Sequence, residues 1–121
     1  MLTRKLEGQS IVFYNADTQV LSILEEERED GVLLTLRGEL RSDVAHELLD
    51  ELTALATVGV QVTLDFAEVT FITATILDVL LTVQQTMDAM GKGSLVLRKL
   101  KPDIYHQFEK TGTSELLIIE Q

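Results

Sequence analysis

The feature that most constrains the fold of this chain is a strand pattern, a long helix pattern and a second strand pattern in direct succession. Apolar and polar residues alternate over residues 60–66, as in a half-buried strand. Residues 74–90 carry an apolar stripe at helical spacing, and residues 94–97 again read as a strand. Two consecutive strands joined by a helix run parallel, with a right-handed crossover. The sequence therefore predicts an α/β protein that contains this parallel pair of strands.

The rest of the chain supplies further elements of the same kind. Two apolar runs on either side of Gly31 predict an antiparallel hairpin, and residues 44–56 predict a helix that Ser42 caps. A helix that begins near Pro102 and a last short strand follow. The expected fold is a mixed β-sheet with an antiparallel first hairpin and parallel later strands.

The first 19 residues stand apart from this pattern. Their one apolar run, residues 11–14, predicts either an extra edge strand or a loosely attached arm. We therefore divide the chain into an N-terminal extension, residues 1–19, and one domain, residues 20–121. A chain of 121 residues has the usual length of a single domain.

Composition excludes several classes of function. Twenty acidic residues against ten basic ones give a formal net charge of −10, which would repel a phosphate backbone. The absence of cysteine excludes disulfides, thiolate metal ligands and a cysteine nucleophile. No apolar run is long enough to span a bilayer, and the first residues lack the apolar region of a signal peptide. We expect a cytoplasmic protein without a nucleic-acid partner and without direct membrane insertion.

Residues with the spacing of a catalytic or metal site are scarce. His46 and His106 have no metal-binding spacing, and neither a nucleophile elbow nor a phosphate-binding glycine loop occurs. Asp65 ends a predicted strand, where α/β proteins often place functional carboxylates, but one carboxylate alone supports no acid–base mechanism. We predict a non-enzymatic protein with no metal and no cofactor. A small-anion or nucleotide-binding α/β domain that uses Asp65 and a helix N-terminus is an alternative.

The segment 67–77, expected to begin as a loop, is the strongest candidate for a functional surface. It follows a predicted strand and opens the long helix with Thr73 and Thr75. These threonines either cap the helix or expose a hydroxyl beside the free N–H groups of its first turn. A phosphate added there would carry about two negative charges, which the helix N-terminus stabilises.

Two stretches of the sequence resemble the STAS family, named for sulphate transporters and anti-sigma factor antagonists. Residues 31–40 (GVLLTLRGEL) are similar to the second strand and the Gly-Glu-Leu-Asp signature of that family. Residues 62–72 (VTLDFAEVTFI) are similar to its strand, aspartate, short polar loop and Phe-Ile stretch. The likeness extends over about residues 20–119.

The resemblance implies both a fold and a role. The fold would be STAS-like (SpoIIAA-like), a mixed β-sheet of four or five strands with the helices largely on one face. In the bacterial antagonists of this family, the unmodified domain binds an anti-sigma factor that is also a serine kinase. Phosphorylation of a Ser or Thr that precedes a glycine releases that partner. We therefore expect an anti-sigma factor/serine kinase, or another regulatory protein, as the partner in a partner-switching pathway.

The functional positions of the family are carried over one by one. The phosphoacceptor falls on Thr75, with Thr73 as the second choice. The aspartate near the acceptor falls on Thr73, the other serine on Ala74 and the glycine on Ile76, whereas the aspartate of Gly-Glu-Leu-Asp falls on Arg41. The predicted partner-binding residues lie at the start of the long helix or just after the second strand of the first hairpin: Arg41, Thr73, Ala74, Thr75, Ile76 and Val79.

Departures from the family pattern leave two interpretations open. Thr73 and Arg41 replace both acids, and Ile76 replaces the glycine. Either Thr75 is still phosphorylated and Arg41 pairs with the phosphate, or the switch is lost and the domain binds constitutively or as a scaffold. STAS subunits of membrane transport complexes are an example of such scaffolds. Val79, on the polar side of the helix, is predicted to be an exposed apolar contact, and a homodimer is left open.

Overall fold

The computed structural model describes residues 2–120, which form one seven-stranded sheet and three α-helices. The strands lie in the sheet in their chain order: β1 (Leu2–Glu7), β2 (Ser10–Asn15), β3 (Thr18–Arg28), β4 (Gly31–Leu40), β5 (Gln61–Ile72), β6 (Leu95–Arg98) and β7 (Ile118–Glu120). The helices are α1 (Ala45–Val58), α2 (Ala74–Met90) and α3 (Pro102–Lys110), with 3-10 turns at Ser42–Val44 and Thr113–Glu115.

The directions of the strands confirm the predicted mixed sheet. Strands β1 to β4 pair antiparallel, and β4 to β7 pair parallel. The predicted strand–helix–strand unit is β5–α2–β6. Four or five strands were expected; β3 to β7 supply five, and β1 and β2 add two more.

The three helices cover one face of the sheet. They connect β4 to β5, β5 to β6 and β6 to β7, and three right-handed crossovers in one direction along a sheet leave all helices on the same side. Leu34 and Leu64, which are neighbours across β4 and β5, are both buried on this face. Phe66 meets Phe108 of α3 edge to face, with ring centroids 6.5 Å apart. Helices α1 and α2 contact each other above the same core.

Residues 2–15 form a hairpin, β1–β2, that extends the sheet beyond β3. Phe13 is only 1% exposed and belongs to the core, and Arg4 Nε lies 2.6 Å from Glu51 Oε1 of α1. The Tyr14 hydroxyl donates a hydrogen bond of 2.6 Å to Glu7, which raises the pKa of Tyr14. The hairpin is therefore packed against the rest of the protein. The domain boundary at residue 20 stays a prediction.

The segment 67–72, expected to be a loop, instead continues β5. Val69 and Ile72 are buried, and β5 stays paired with β4 until Leu40 meets Ile72. The register shifts twice along this pairing. Each shift interrupts the alternation of inward and outward side chains, so the sequence pattern of this part does not resemble a regular strand.

Helix α2 buries a wider face than one stripe because it packs against α1 as well as against the sheet. Ile76 is fully buried and Val79 is 7% exposed, so both side chains belong to the core and the predicted exposure of Val79 is wrong. The prediction that Val79 is exposed relied on two nearby threonines, Thr82 and Thr86. Thr82 and Thr86 donate their hydroxyls to backbone carbonyls of the preceding helical turn, so their polar groups do not mark an exposed side for Val79.

We expect Leu80→Asp to unfold the protein. Leu80 is fully buried in α2, and shortening a buried leucine to alanine already costs about 2–5 kcal/mol. An unpaired carboxylate in the core costs more, and the sum approaches the total stability of a small domain, about 5–15 kcal/mol. Circular dichroism and urea unfolding measure the change. Gln85→Asp, on the exposed side of the same helix, is the control and should unfold like the wild type; a stably folded Leu80→Asp protein would contradict the assigned helix faces.

The Tyr14–Glu7 hydrogen bond can be tested by titration. In a Tyr105→Phe background Tyr14 is the only tyrosine, because the chain has two. Glu7→Gln should lower the pKa of Tyr14 towards its ordinary value, since the neutral amide accepts a weaker hydrogen bond and removes the negative charge. With Glu7 present, the raised pKa stabilises the folded chain below the unfolded pKa, and this contribution is lost as the pH rises through the folded pKa. Tyrosinate absorbance against pH gives both values, and equal midpoints would rule the bond out.

Candidate functional site

Two parallel strands end side by side and bring distant segments together. The Thr73 N–H donates to the Leu40 carbonyl at 3.1 Å, which fixes the end of β5 against the end of β4. Arg41 and Ser42 follow β4, and the first turn of α2 follows β5. Because parallel strands point the same way, these segments emerge at one edge of the sheet. This edge holds the candidate functional site.

Three hydroxyl groups form a cluster at this edge. Ser42 Oγ lies 3.2 Å from Thr75 Oγ1 and 3.5 Å from Thr73 Oγ1. Ser42 and Thr75 are exposed, whereas Thr73 is half-buried. Ser42 was predicted to cap α1, but it begins a 3-10 turn and makes no capping hydrogen bond to that helix. Its hydroxyl instead forms a hydrogen bond with the hydroxyl of Thr75, the predicted phosphoacceptor.

The N-terminus of α2 has no side-chain cap. Thr73 occupies the N-cap position in an extended conformation, but its hydroxyl makes no capping hydrogen bond, and no acidic residue lies in the first turn. The partial positive charge of this helix end is therefore not offset by its own side chains. A negative group on Thr75 would lie in that field.

Arg41 is held by two neighbours. Its Nε donates a hydrogen bond of 2.5 Å to Glu39 Oε2, and its guanidinium carbon lies 4.5 Å from the centroid of the Phe71 ring. Phe71 is 39% exposed, so the ring and the cation together form part of the surface. Sequence reasoning missed Phe71 because it assigned the residue to a loop; the register that places Phe71 opposite Glu39 is the signal that identifies it.

The structure thus sorts the predicted site residues into two groups. Arg41, Ala74 and Thr75 are exposed at the carboxyl edge of the sheet, with Thr73 half-buried beside them. The buried side chains of α2 lie behind this surface and support it from the core. Ser42 and Phe71 are the two residues that the structure adds to the site.

Asp65, the residue of the ligand-binding alternative, is already engaged. It is 7% exposed and accepts a hydrogen bond of 2.9 Å from the Ala67 N–H. Its second oxygen lies 3.6 Å from Arg98 Nη2 and 3.7 Å from Lys99 Nζ. The carboxylate therefore joins the interior of β5 to the end of β6. The two histidines are exposed and each lies near an acidic neighbour on its own helix.

The part of the chain that the structure describes contains neither a metal-binding cluster nor a membrane-spanning helix. Within residues 2–120, no three His, Asp or Glu side chains converge in a way that could hold a metal ion. In that same part of the chain, no helix is long and apolar enough to cross a membrane.

Comparison with known proteins agrees with this fold. The profile of the family described as "Mlab, STAS domain" matches residues 23–119. Among curated protein sequences, none matches this chain. A candidate anti-sigma factor antagonist from Thermotoga maritima superposes with a TM-score of 0.75 at 18% identity, over 82% of this chain and 86% of that one.

Two further solved structures share the fold. The anti-sigma factor antagonist SpoIIAA in its unphosphorylated form gives a TM-score of 0.68 at 15% identity, over 82% of this chain and 88% of its own. An anti-sigma factor antagonist from Mycobacterium paratuberculosis gives a TM-score of 0.69 at 17% identity, over 82% of this chain and 84% of that one. Identities this low establish a common fold only. Since the family profile spans most of the sequence, the chain belongs to the STAS family.

The contact between Ser42 and Thr75 can be measured by a double-mutant cycle. Ser42→Ala and Thr75→Val each remove a hydroxyl with little change in shape, so their effects on the free energy of unfolding should not add. We expect a coupling of about 0.5–1 kcal/mol, the usual size for a directly bonded pair. Urea denaturation of the four proteins gives the coupling.

Thr82→Val is the matched control for that cycle. Thr82 lies about two turns further along α2 and donates its hydroxyl to Asp78, so its effect should add to that of Ser42→Ala within about 0.5 kcal/mol. Additivity for Thr75 as well would show that its hydroxyl and that of Ser42 do not interact in solution.

Proposed function

We propose that this chain is a non-enzymatic regulatory module of the anti-sigma factor antagonist type, which binds an anti-sigma factor/serine kinase in the cytoplasm. The observation that carries the proposal is the exposed Ser42–Thr75 hydroxyl pair at the N-terminus of α2, on a STAS fold. The names of the structures that share this fold, which are anti-sigma factor antagonists, support it further.

The proposed partner surface combines groups that are typical of protein interfaces. Phe71 presents a half-exposed ring, and Arg41 is stacked over it. Aromatic residues and arginine are enriched among the residues that contribute most to binding. Ala74 and Thr75 beside them are small, so a partner can approach the first turn of α2 closely. In this proposal the partner covers these four residues in the unmodified protein.

Phosphorylation of Thr75 would change this surface in two ways. It adds about two negative charges and three acceptor oxygens where the partner packs, which favours release. The phosphate would be stabilised within its own chain by the uncapped α2 N-terminus and by the Ser42 hydroxyl, which already lies 3.2 Å from Thr75. The Arg41 guanidinium would have to break its hydrogen bond to Glu39 in order to pair with a phosphate on Thr75. Thr73 is the second choice as acceptor because it is half-buried.

A constitutive scaffold is the second candidate function, and the state of Arg41 favours it. Glu39 and the Phe71 ring hold the guanidinium in the unmodified protein, and Thr73 offers no acid near the acceptor. A domain of this kind would keep its partner regardless of a charge at residue 75, as a STAS subunit of a transport complex would. The two candidates differ in a single measurable property, the response of binding to that charge.

Affinity capture from a lysate of the native cells, with Thr75→Glu and wild-type baits, tests the proposal. If the switch operates, Thr75→Glu should lower recovery of an ATP-binding anti-sigma factor at least tenfold, or about 1.4 kcal/mol, because a carboxylate would be buried in the interface without a partner. Quantitative mass spectrometry of the captured proteins measures the ratio.

Thr75→Ser is the control, since it keeps a hydroxyl at the acceptor position and should capture the same partner as the wild type. Equal capture by Thr75→Glu would favour the scaffold over the switch. Recovery of no specific partner by any bait would contradict both candidates.

A further inference from the structure

A surface groove of about 620 Å³ lies at the opposite end of the sheet from Thr75. It is lined by Leu6, by the β1–β2 turn and the start of β2, and by the last four residues of β3, residues 25–28. Strand β3 runs antiparallel to β4, so its end lies where β4 and β5 begin. The ten residues of β4 separate the groove from the hydroxyl cluster by about 30 Å.

One wall of the groove is an unpaired strand edge. Strand β2 pairs with β3 only as far as Ser10 opposite Leu24, with one more bond from the Glu25 N–H to the Gln9 carbonyl at 3.2 Å. Strand β3 continues beyond this point and stays paired with β4 until Arg28. Within residues 2–120, the other edge of residues 26–28 therefore has no strand partner. Such an edge is a template for an added strand.

Two apolar side chains, Leu6 and Ile11, line the otherwise polar groove. Leu6 is 69% exposed and lies directly opposite the half-buried Ile11 in the β1–β2 register. Both side chains point to the helix-bearing face, because Ile11 pairs with Ile23 of the core. An apolar side chain of a bound segment would cover Leu6 here.

The charge of the groove selects the kind of segment that fits. Glu25 and Glu27 follow Ile23 at two-residue intervals, so their carboxylates stand on the same face as Leu6. In the described part of the chain, no cation lies within ion-pair distance of either one. Glu26 and Arg28 point to the other face and pair with each other at 3.5 Å. The groove side thus carries two uncompensated negative charges.

We propose that this groove binds an extended, basic segment of a partner protein by strand addition. The backbone of the segment pairs with the free edge of residues 26–28, its alternate Lys or Arg side chains face Glu25 and Glu27, and an apolar residue covers Leu6. Residues 6–11 lie outside the match to the STAS profile, whereas residues 25–28 lie inside it, so the profile covers only one side of this surface. It stands apart from the proposed function at Thr75.

The probe for the test is a fluorescein-labelled peptide that alternates lysine with valine around one central leucine, measured by fluorescence anisotropy with the full chain. Glu25→Lys/Glu27→Lys should weaken its binding at least tenfold, because attraction becomes repulsion. Glu29→Lys/Asp30→Lys, in the exposed turn that follows β3, changes the net charge equally and should alter the Kd less than twofold. If both double variants lost peptide affinity equally, the binding would reflect non-specific charge attraction and the proposed site would be wrong.

A second peptide tests strand addition without changing the protein. It has the same sequence but carries N-methyl groups on alternate amides, so its charge is kept while one edge can no longer donate hydrogen bonds. We expect at least tenfold weaker binding; unchanged binding would overturn the strand-addition geometry. Amide chemical-shift changes in nuclear magnetic resonance spectra should centre on residues 26–28.

Two further measurements separate this proposal from other interpretations. Thr75→Glu should bind the peptide as the wild type does, so failure of the partner switch and failure of the groove are distinguishable. Light scattering of the wild type should show a monomer at the concentrations used. A dimer that Glu25→Lys/Glu27→Lys dissociates would overturn the proposal, because a second copy of the chain would then occupy the groove.

Discussion

The parallel pairing of β4 with β5 is the interaction on which the rest of the structure depends. It runs from Gly31 opposite Gln61 to Leu40 opposite Ile72 and joins the antiparallel half of the sheet to the parallel half. The pairing is close at its start, where a side chain on Gly31 would collide with the Gln61 carbonyl at 2.0 Å. Its far end sets the approach of Ser42 to Thr75, since no local hydrogen bond of either segment could do so.

The two ends of the sheet carry surfaces of different chemistry. At the carboxyl end of β5, hydroxyls, an uncapped helix N-terminus and the Arg41–Phe71 stack form a surface that a change of charge can alter. At the amino end, a free strand edge lies beside two unpaired glutamates and an exposed leucine. The ten residues of β4 separate the two surfaces by about 30 Å.

The N-terminal hairpin gives this chain features that the STAS profile does not cover. It covers most of the β3 edge, and Phe13 adds an aromatic side chain to the common core. Because the hairpin is shorter than β3, the last residues of β3 stay open on that side. Arg4 and Lys5 occupy the middle of the new outer strand, and charged residues at such an edge discourage pairing between copies of the chain.

The sequence by itself determined the family and most of the elements, but not β1 or the end of β5. Hydrophobic periodicity is a local property, so residues 74–90 could be identified as a helix without any tertiary contact, and the family resemblance is what places the predicted acceptor on Thr75. Only the tertiary structure decided that Val79 is buried, that β5 extends to Ile72, and that Ser42 rather than a helix N–H partners Thr75. These outcomes depend on strand register and helix packing between segments about 30 residues apart, and no local pattern encodes that register once bulges interrupt it.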